Sequence, residues 1–433
     1  MRHDEQVRLI KQLCAHLDAG TNEDAGGLRC LPTSTFTDSA RSEREWNEFF
    51  MSTPQCIGMS GDLPEPGSFI TNNDLGIPIL ATRDQDGSFK AFVNSCRHRG
   101  AIVETEERGT ARRFSCPFHA WTYDTGGALV GLPKTEHFGD VDKSCLGLRP
   151  LAAEERHGLL FVHPDPEAAI DLDQLLGEWF NDEFPTWNFA ELVPLTRQVF
   201  DTECNWKLAM DTFGETYHFS VLHKNTLFNG FHGNVQCYDE AGHLHRMILC
   251  KRDIDAMRLL PEEQWDITVA GLPVYWIFPN VILLPFDAGC FLVRAYPDRN
   301  DPGRHVSRVS FYLKPTLAAM GDEMTAFVSN IKAIIEDIKP TKTHVIYWDT
   351  EVAGHQTFED GQFAVADMKP KGGGGTDGSV LFDYLREQRI NPDAIVQFTD
   401  GYVGDWGTTD VPTLWAITTD VVAPFGTTVR VEV

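Results

Sequence analysis

Apolar residues recur at Ile10, Leu13, Cys14 and Leu17, spaced i, i+3, i+4 and i+7. That one-sided stripe predicts an amphipathic helix over residues 5–17. Residues 18–44 are rich in Gly, Thr, Ser and Asp and predict an irregular segment. From about 45 to 165 the pattern changes to short β-like runs (SFITNND, IPILATRDQDGSFKAFVN, RRFSCPFHAWTYDTGGALV, GLLFVHPDP) broken by turns. Asp86-Gly87 and Gly126-Gly127 between such runs are hairpin signals, so a small antiparallel β domain is expected here. From 166 onward, helical stretches at 170–180, 207–222, 317–338 and 346–358 alternate with strands such as VYWIFPNVILLPF and HVSRVSFYLKP. The economical arrangement is α+β, a mostly antiparallel sheet wrapped around a long helix. KGGGGTDG at 371–378 predicts a flexible loop; 379–392 looks helical, and 393–433 is β-rich without an assigned place. The expected domains are therefore 1–44 (a helix and irregular segment packing on the last domain), 45–165, and 166–433.

At 433 residues the chain is long enough for two or three domains, and 42% hydrophobic content supplies their cores. With 37 Lys+Arg against 63 Asp+Glu the net charge is −26, which argues against nucleic-acid or anionic-membrane partners. The ten cysteines follow no repeated spacing of the kind a disulfide framework needs. The N-terminal stretch MRHDEQVRLIKQL lacks the apolar core of a signal peptide, and no run of 18 apolar residues occurs. A cytoplasmic protein with reduced thiols is expected.

Two loops carry the strongest chemistry. Cys96-Arg97-His98 and Cys116-Pro117-Phe118-His119 each supply one thiolate and one imidazole. Cys-x-His followed by Cys-x2-His is the ligand order of a Rieske [2Fe–2S] centre, with two thiolates on one iron and two imidazoles on the other. Imidazole brings less negative charge than thiolate, so such a cluster is easier to reduce than an all-cysteine one, roughly −150 to +300 mV against about −400 mV. The rival, a Cys2His2 structural zinc site, usually pairs Cys with Cys and His with His, unlike these loops.

A second polar cluster lies in NWKLAMDTFGETYHFSVLH, residues 205–223. On a continuous helix Asp211, Glu215 and His218 would share a face. His223 lies about 140° further round and joins them only if the helix ends or bulges after His218. Two imidazoles and one carboxylate with open positions form the facial triad of non-haem Fe(II) oxygenases. The third ligand would come from elsewhere, with the acids of YWDTEVAGHQTFEDG the obvious pool. Met210, Phe213, Phe219, Leu222, Leu227 and Phe228 nearby suit a pocket for a hydrophobic substrate, although each is as readily plain packing. The remaining histidines, His344 and His355 among them, show no ligand spacing and are expected to be surface or core residues.

NSCRHRGA, CPFHAWTYD, NWK, Glu215-x2-His218-x4-His223 and IFPN together resemble the catalytic alpha subunits of Rieske non-haem iron (ring-hydroxylating) oxygenases. They occur in that family's order over roughly residues 45 to 360. The resemblance implies a small β Rieske domain before a larger, helix-grip-like catalytic domain. It implies that Cys96, His98, Cys116 and His119 hold the [2Fe–2S] cluster and that His218 and His223 bind a mononuclear Fe(II). It makes Glu215 the carboxylate bridging a cluster histidine of one subunit to an iron-ligand histidine of the next, across a head-to-tail homotrimer. The family's third ligand is an Asp seven residues before a Gln on a C-terminal helix; Asp349 with Gln356 fits, and Glu351 is the runner-up. Asp211-Thr212 departs from the usual Glu-Asn, so Asp211 is expected beside the site rather than in it.

The activity implied is a terminal oxygenase that uses O2 and electrons from NAD(P)H. A separate reductase, with or without a ferredoxin, would supply them, since the chain has no GxGxxG or flavin-type motif of its own. The substrate would be an aromatic or other hydrophobic small molecule, as in aromatic hydrocarbon catabolism; a beta subunit is compatible with this. Cis-dihydroxylation, monooxygenation and oxidative demethylation use the same ligands and stay open. A Rieske electron carrier without mononuclear iron is the rival from another class.

Overall fold

The computed structural model describes residues 1–315 except 24, 25, 225 and 226, and residues 342–430 except 349, 360–376, 400 and 418. The chain divides into two compact units, Met1–Pro315 and Thr316–Val433.

The first unit opens with the expected amphipathic helix, His3–Ala19, which buries Leu9, Ile10 and Leu13. Gly20 ends it at φ +63°: its N–H meets Leu17 O and the next N–H, of Thr21, meets His16 O, a pairing that satisfies two terminal carbonyls and needs the left-handed backbone. The stretch after it is less irregular than its composition suggests. Two short helices, Ser34–Thr37 and Ser39–Glu45, lie inside it, the second capped by the Asp38 carboxylate accepting from Arg41 N at 2.6 Å.

The β domain follows as expected. Its largest sheet runs Arg108–Thr110, Ser68–Asn72, Ile79–Arg83, Phe89–Val93, Pro150–Leu151, and a smaller one comprises Arg113–Ser115, Thr122–Asp124 and Leu129–Gly131. Both hairpin signals are realised, with Gly87 and Gly127 at positive φ. Phe69, Leu80, Phe92, Phe114, Trp121 and Tyr123 form its core, which also encloses Cys96 and Cys116.

The larger domain of this unit is a seven-stranded antiparallel sheet in the order Val193–Thr202, His305–Leu313, Gly289–Pro297, Val281–Phe286, Gly271–Ile277, Leu244–Lys251, Phe231–Ala241. The two domains share one hydrophobic core, in which Ile57, Ile70, Ile79 and Leu160 meet Trp206, Met210, Met247, Val274 and Ile282. Each such side chain contributes about 1.5–3 kcal/mol through burial. Asp62, buried at the seam, adds polar fixation: it accepts from Met59 N at 3.0 Å and Tyr312 Oη at 2.7 Å and pairs with Arg197.

The second unit holds a parallel three-stranded sheet, Ile395–Thr399, Thr413–Ile417 and Thr427–Arg430. Helix Ser379–Glu387 packs on it through Leu381, Phe382 and Leu385. The β-rich tail thus acquires a place. An antiparallel hairpin, Lys342–Trp348 with Val352–Glu359, occupies the region where a helix over 346–358 was expected. Val345, Ile346, Tyr347 and Trp348 are β-branched or aromatic and suit a strand; Ile346 and Trp348 pack on the unit's core. The helix expected at 317–338 lies outside the described residues, as does most of the 371–378 loop. A boundary at 315/316 therefore falls inside the stretch 166–433 that the sequence reads as one domain. Among the described residues no helix is long and apolar enough to cross a membrane.

Candidate active site

The two Cys/His loops fold alike. In the first, Cys96 N donates to Ala101 O and Gly100 N to Cys96 O, both at 2.8 Å; in the second, Cys116 N donates to Trp121 O at 2.8 Å and Ala120 N to Cys116 O at 2.9 Å. The residue four after each cysteine is left-handed, Gly100 at φ +75° and Ala120 at φ +56°. Each loop thereby turns back on itself with its cysteine inward and its histidine toward the other loop. Both cysteines are buried, and the rings of His98 and His119 stand 4.6 Å apart. His98 stacks on Trp121 at 5.0 Å, and its Nδ1 is buried without a protein partner. Desolvation first, then His119 and Arg99, lower the His98 pKa, which favours the neutral ligating form. Two buried thiols, two facing imidazoles and an orphaned ring nitrogen fit a [2Fe–2S] cluster, each iron of which takes two protein ligands.

Tyr123 is a member of this site that motif spacing did not reveal. Its hydroxyl lies 3.3 Å from Cys96 Sγ and accepts the Arg97 N–H at 3.0 Å. Burial and the neighbouring Cys96 push the phenol pKa up, so the group stays protonated and can donate to a ligand thiolate. Hydrogen bonds to cluster sulfurs raise the potential because they stabilise the reduced, more negative state. A bond worth about 1 kcal/mol more to that state corresponds to roughly 40 mV for one electron. Tyr123→Phe is therefore expected to lower the cluster midpoint by tens of millivolts, read by redox titration of the visible absorbance.

The second cluster of residues takes shape because its helix stops early. Helix Trp206–Thr212 starts at Asn205, whose side chain accepts from Lys207 N at 3.0 Å, and ends after two turns. At Gly214 a Cβ would lie 2.4 Å from the Trp276 ring; only glycine lets the chain pass that ring. Glu215 thus begins a new turn rather than continuing the helix, and His218 sits in the short 3-10 segment Tyr217–Ser220. The expectation of one continuous helix over 207–222 fails here. Its consequence favours the site: the chain turns after His218, and the His218 and His223 rings come to 5.2 Å. Buried Thr216 pins the turn to strand Phe231–Ala241 by donating to Gln236 Oε1 at 2.6 Å and accepting from Asn234 N at 2.9 Å.

Glu215 binds its neighbour twice. One carboxylate oxygen pairs with His218 Nδ1, and the other accepts the His218 backbone N–H at 3.2 Å. Nδ1–H is thereby committed, and Nε2 is the nitrogen left to ligate a metal. Tyr238 stands by, its phenol pushed up to about 12 by desolvation with the Glu215 charge adding to it. Met210 and Phe219 are buried and Phe213 and Phe228 half-buried in the shared core, whereas Leu222 and Leu227 are exposed and are not packed as pocket walls. Asp211 is a surface residue. Asp349 lies outside the described residues. The hairpin puts Gln356 on a strand opposite Val345, so the seven-residue spacing does not describe one helical face. Among the described residues, no three His, Cys, Asp or Glu side chains are placed to hold a single metal ion.

Comparison with known families places these features. Residues 53–146 match the Rieske [2Fe-2S] domain, and residues 189–345 match the ring hydroxylating alpha subunit catalytic domain. Two segments of the chain are therefore similar, in this order, to the two domain families. Cys96, His98, Cys116 and His119 fall in the first match, and Glu215, His218 and His223 in the second. The biphenyl 2,3-dioxygenase alpha subunit of Rhodococcus jostii is 34% identical over 194 residues, covering 43% of this chain and 42% of that protein. The carnitine monooxygenase oxygenase subunit of Acinetobacter baumannii is 31% identical, over 53% of this chain and 58% of the relative. The chain thus spans about half the length of the curated relatives it matches. Naphthalene 1,2-dioxygenase from a Rhodococcus species has the same fold, with a TM-score of 0.56 at 22% identity over 72% of this chain and 77% of that one.

The Rieske oxygenase match stops before the end. Residues 317–432 match a VWA-like domain, a span that coincides with the second compact unit.

Proposed function

We propose that the chain is the terminal oxygenase component of a multicomponent system that hydroxylates an aromatic or other hydrophobic small molecule. The arrangement that carries this reading is Glu215 bound to His218 beside His223, in a unit that also holds the paired Cys/His loops. When bound, the [2Fe–2S] cluster supplies single electrons and the mononuclear iron an open-sided centre for O2 chemistry. The chain's own residues prepare these steps. Glu215 fixes the His218 tautomer and ring direction, Thr216 holds the turn in place, and Phe219 presents apolar surface beside the two imidazoles. His119 and Phe118 are exposed on the second loop, and exposed Arg97 and Arg99 flank His98 on the first. That positive rim on an otherwise acidic chain supports electron entry there from an NAD(P)H-dependent reductase or ferredoxin, for delivery to the next subunit of a homotrimer.

Monooxygenation or oxidative demethylation is the second reading, favoured by the match to a carnitine monooxygenase subunit. A substrate screen with reductase and 18O2, read by mass spectrometry, decides. Incorporation of two oxygens supports dihydroxylation and of one supports monooxygenation; substrate-independent O2 consumption with no incorporation contradicts both.

The carboxylate ligand is proposed at Asp349 from sequence alone. Asp349→Ala is expected to lose the mononuclear iron and all turnover while the Rieske absorbance survives. Loss in Glu351→Ala instead would move the assignment by two residues, and retention in both variants would exclude Asp349 and Glu351 and leave Glu359 and Asp360 of that stretch.

A further inference from the structure

We propose that His344, His355 and Thr357 form a binding site for a divalent transition metal of tetragonal preference, Cu2+ or Ni2+, on the hairpin of the second unit. The inference is independent of the oxygenase reading. His344 pairs in register with Thr357, and Ile346 with His355, so the three side chains share one face of the hairpin, since strand residues alternate faces with period two. His344 Nδ1 and His355 Nε2 are 2.9 Å apart, and Thr357 Oγ1 lies 3.3 Å from the first and 3.4 Å from the second.

The triangle has the dimensions of a metal's coordination face. Two nitrogens at about 2.0–2.1 Å from one metal stand about 2.9 Å apart when the angle between them is a right angle, and about 3.4 Å apart when it is tetrahedral. The nitrogen–nitrogen side matches the right angle, the arrangement of tetragonal Cu2+ and Ni2+, for which imidazole is a suitable donor; the two sides to Thr357 Oγ1 are wider, so the hydroxyl would move inward or give way to water. Thr357 or water would fill further positions. Tyr384, on helix Ser379–Glu387, holds the other face of one ring: its hydroxyl is 3.1 Å from His355 Nδ1. A partner on the far ring nitrogen fixes tautomer and orientation, as it does for metal-bound histidines generally. A plain hydrogen bond between the two imidazoles accounts for the 2.9 Å alone. It leaves Thr357 at distances too long for a good bond to either ring.

The test is Ni2+ titration of the full chain by calorimetry; Ni2+ spares the ten cysteines from the oxidation that Cu2+ would cause. The unmutated protein and His218→Ala should each bind one nickel equivalent that His344→Gln and His355→Gln both lack. Tyr384→Phe should keep the equivalent with affinity about 10–100-fold weaker. Equal stoichiometry and affinity in the two Gln variants and the unmutated chain would overturn the proposal. If either Gln variant fails to fold, diethyl pyrocarbonate footprinting of the unmutated chain decides. Ni2+ should protect His344 and His355 together, and unchanged modification of both would overturn the site.

Discussion

Glu215→Gln and Glu215→Ala are expected to keep a reducible Rieske cluster while losing most substrate-dependent turnover. Glu215 touches no cluster residue within the chain; its contacts are His218 Nδ1 and the His218 backbone N–H. A carboxylate accepting from a metal-bound imidazole raises ligand basicity and holds the ring, and removing such a partner typically costs 10–100-fold in metal affinity or activity. Gln keeps the size but replaces one acceptor oxygen by a donor that faces another donor, Nδ1–H, so it loses both charge and tautomer control. Ala leaves the ring unsupported. In the homotrimer proposed above the same carboxylate would also reach a neighbour's cluster histidine, and the loss would then exceed that range. Single-turnover mixing of reduced enzyme with O2 and substrate, followed through cluster reoxidation, reads the effect. Reoxidation at the unmutated rate would reduce Glu215 to an ordinary surface acid.

His98→Cys and His119→Cys are each expected to leave a [2Fe–2S] protein whose reduction potential falls by hundreds of millivolts. The sign follows from charge: a thiolate adds a negative charge to one iron and makes the next electron harder to accept. All-cysteine clusters near −400 mV against roughly −150 to +300 mV for Rieske centres set the scale. His98 is half-buried and stacks on Trp121, whereas His119 is exposed, so His119→Cys should disturb packing less and give the cleaner measurement. Protein-film voltammetry checks it; an unchanged potential and an unchanged Rieske-type spectrum would remove the histidine from the ligand set.

The cluster loops were legible in sequence because ligand order within a short loop is local information, and so were the two hairpin turns, which glycine marks. Tyr123 was not, since its approach to Cys96 depends on pairing between strands. The 205–223 segment was half legible. Its residue types suggested a metal site, but the close passage of Gly214 by Trp276, more than sixty residues away, is a contact that only the fold creates. Residues 346–358 were misread as a helix because helical spacing of a few polar residues outweighed the β-branched and aromatic run Val345–Trp348. His344 and His355 looked partnerless for the same reason: only the hairpin register places them together. The unit boundary at 315/316 escaped notice because helix-like and strand-like text alternates on both sides of it.

Whether one chain holds both a Rieske cluster and a mononuclear iron is read from chemical analysis of iron and acid-labile sulfide per chain. Anaerobically reconstituted protein is expected to carry about three irons and two sulfides, falling to about two irons in His223→Ala with the sulfide unchanged. Two irons in the unmutated chain, with no change in His223→Ala, would rule out the mononuclear iron and leave an electron carrier.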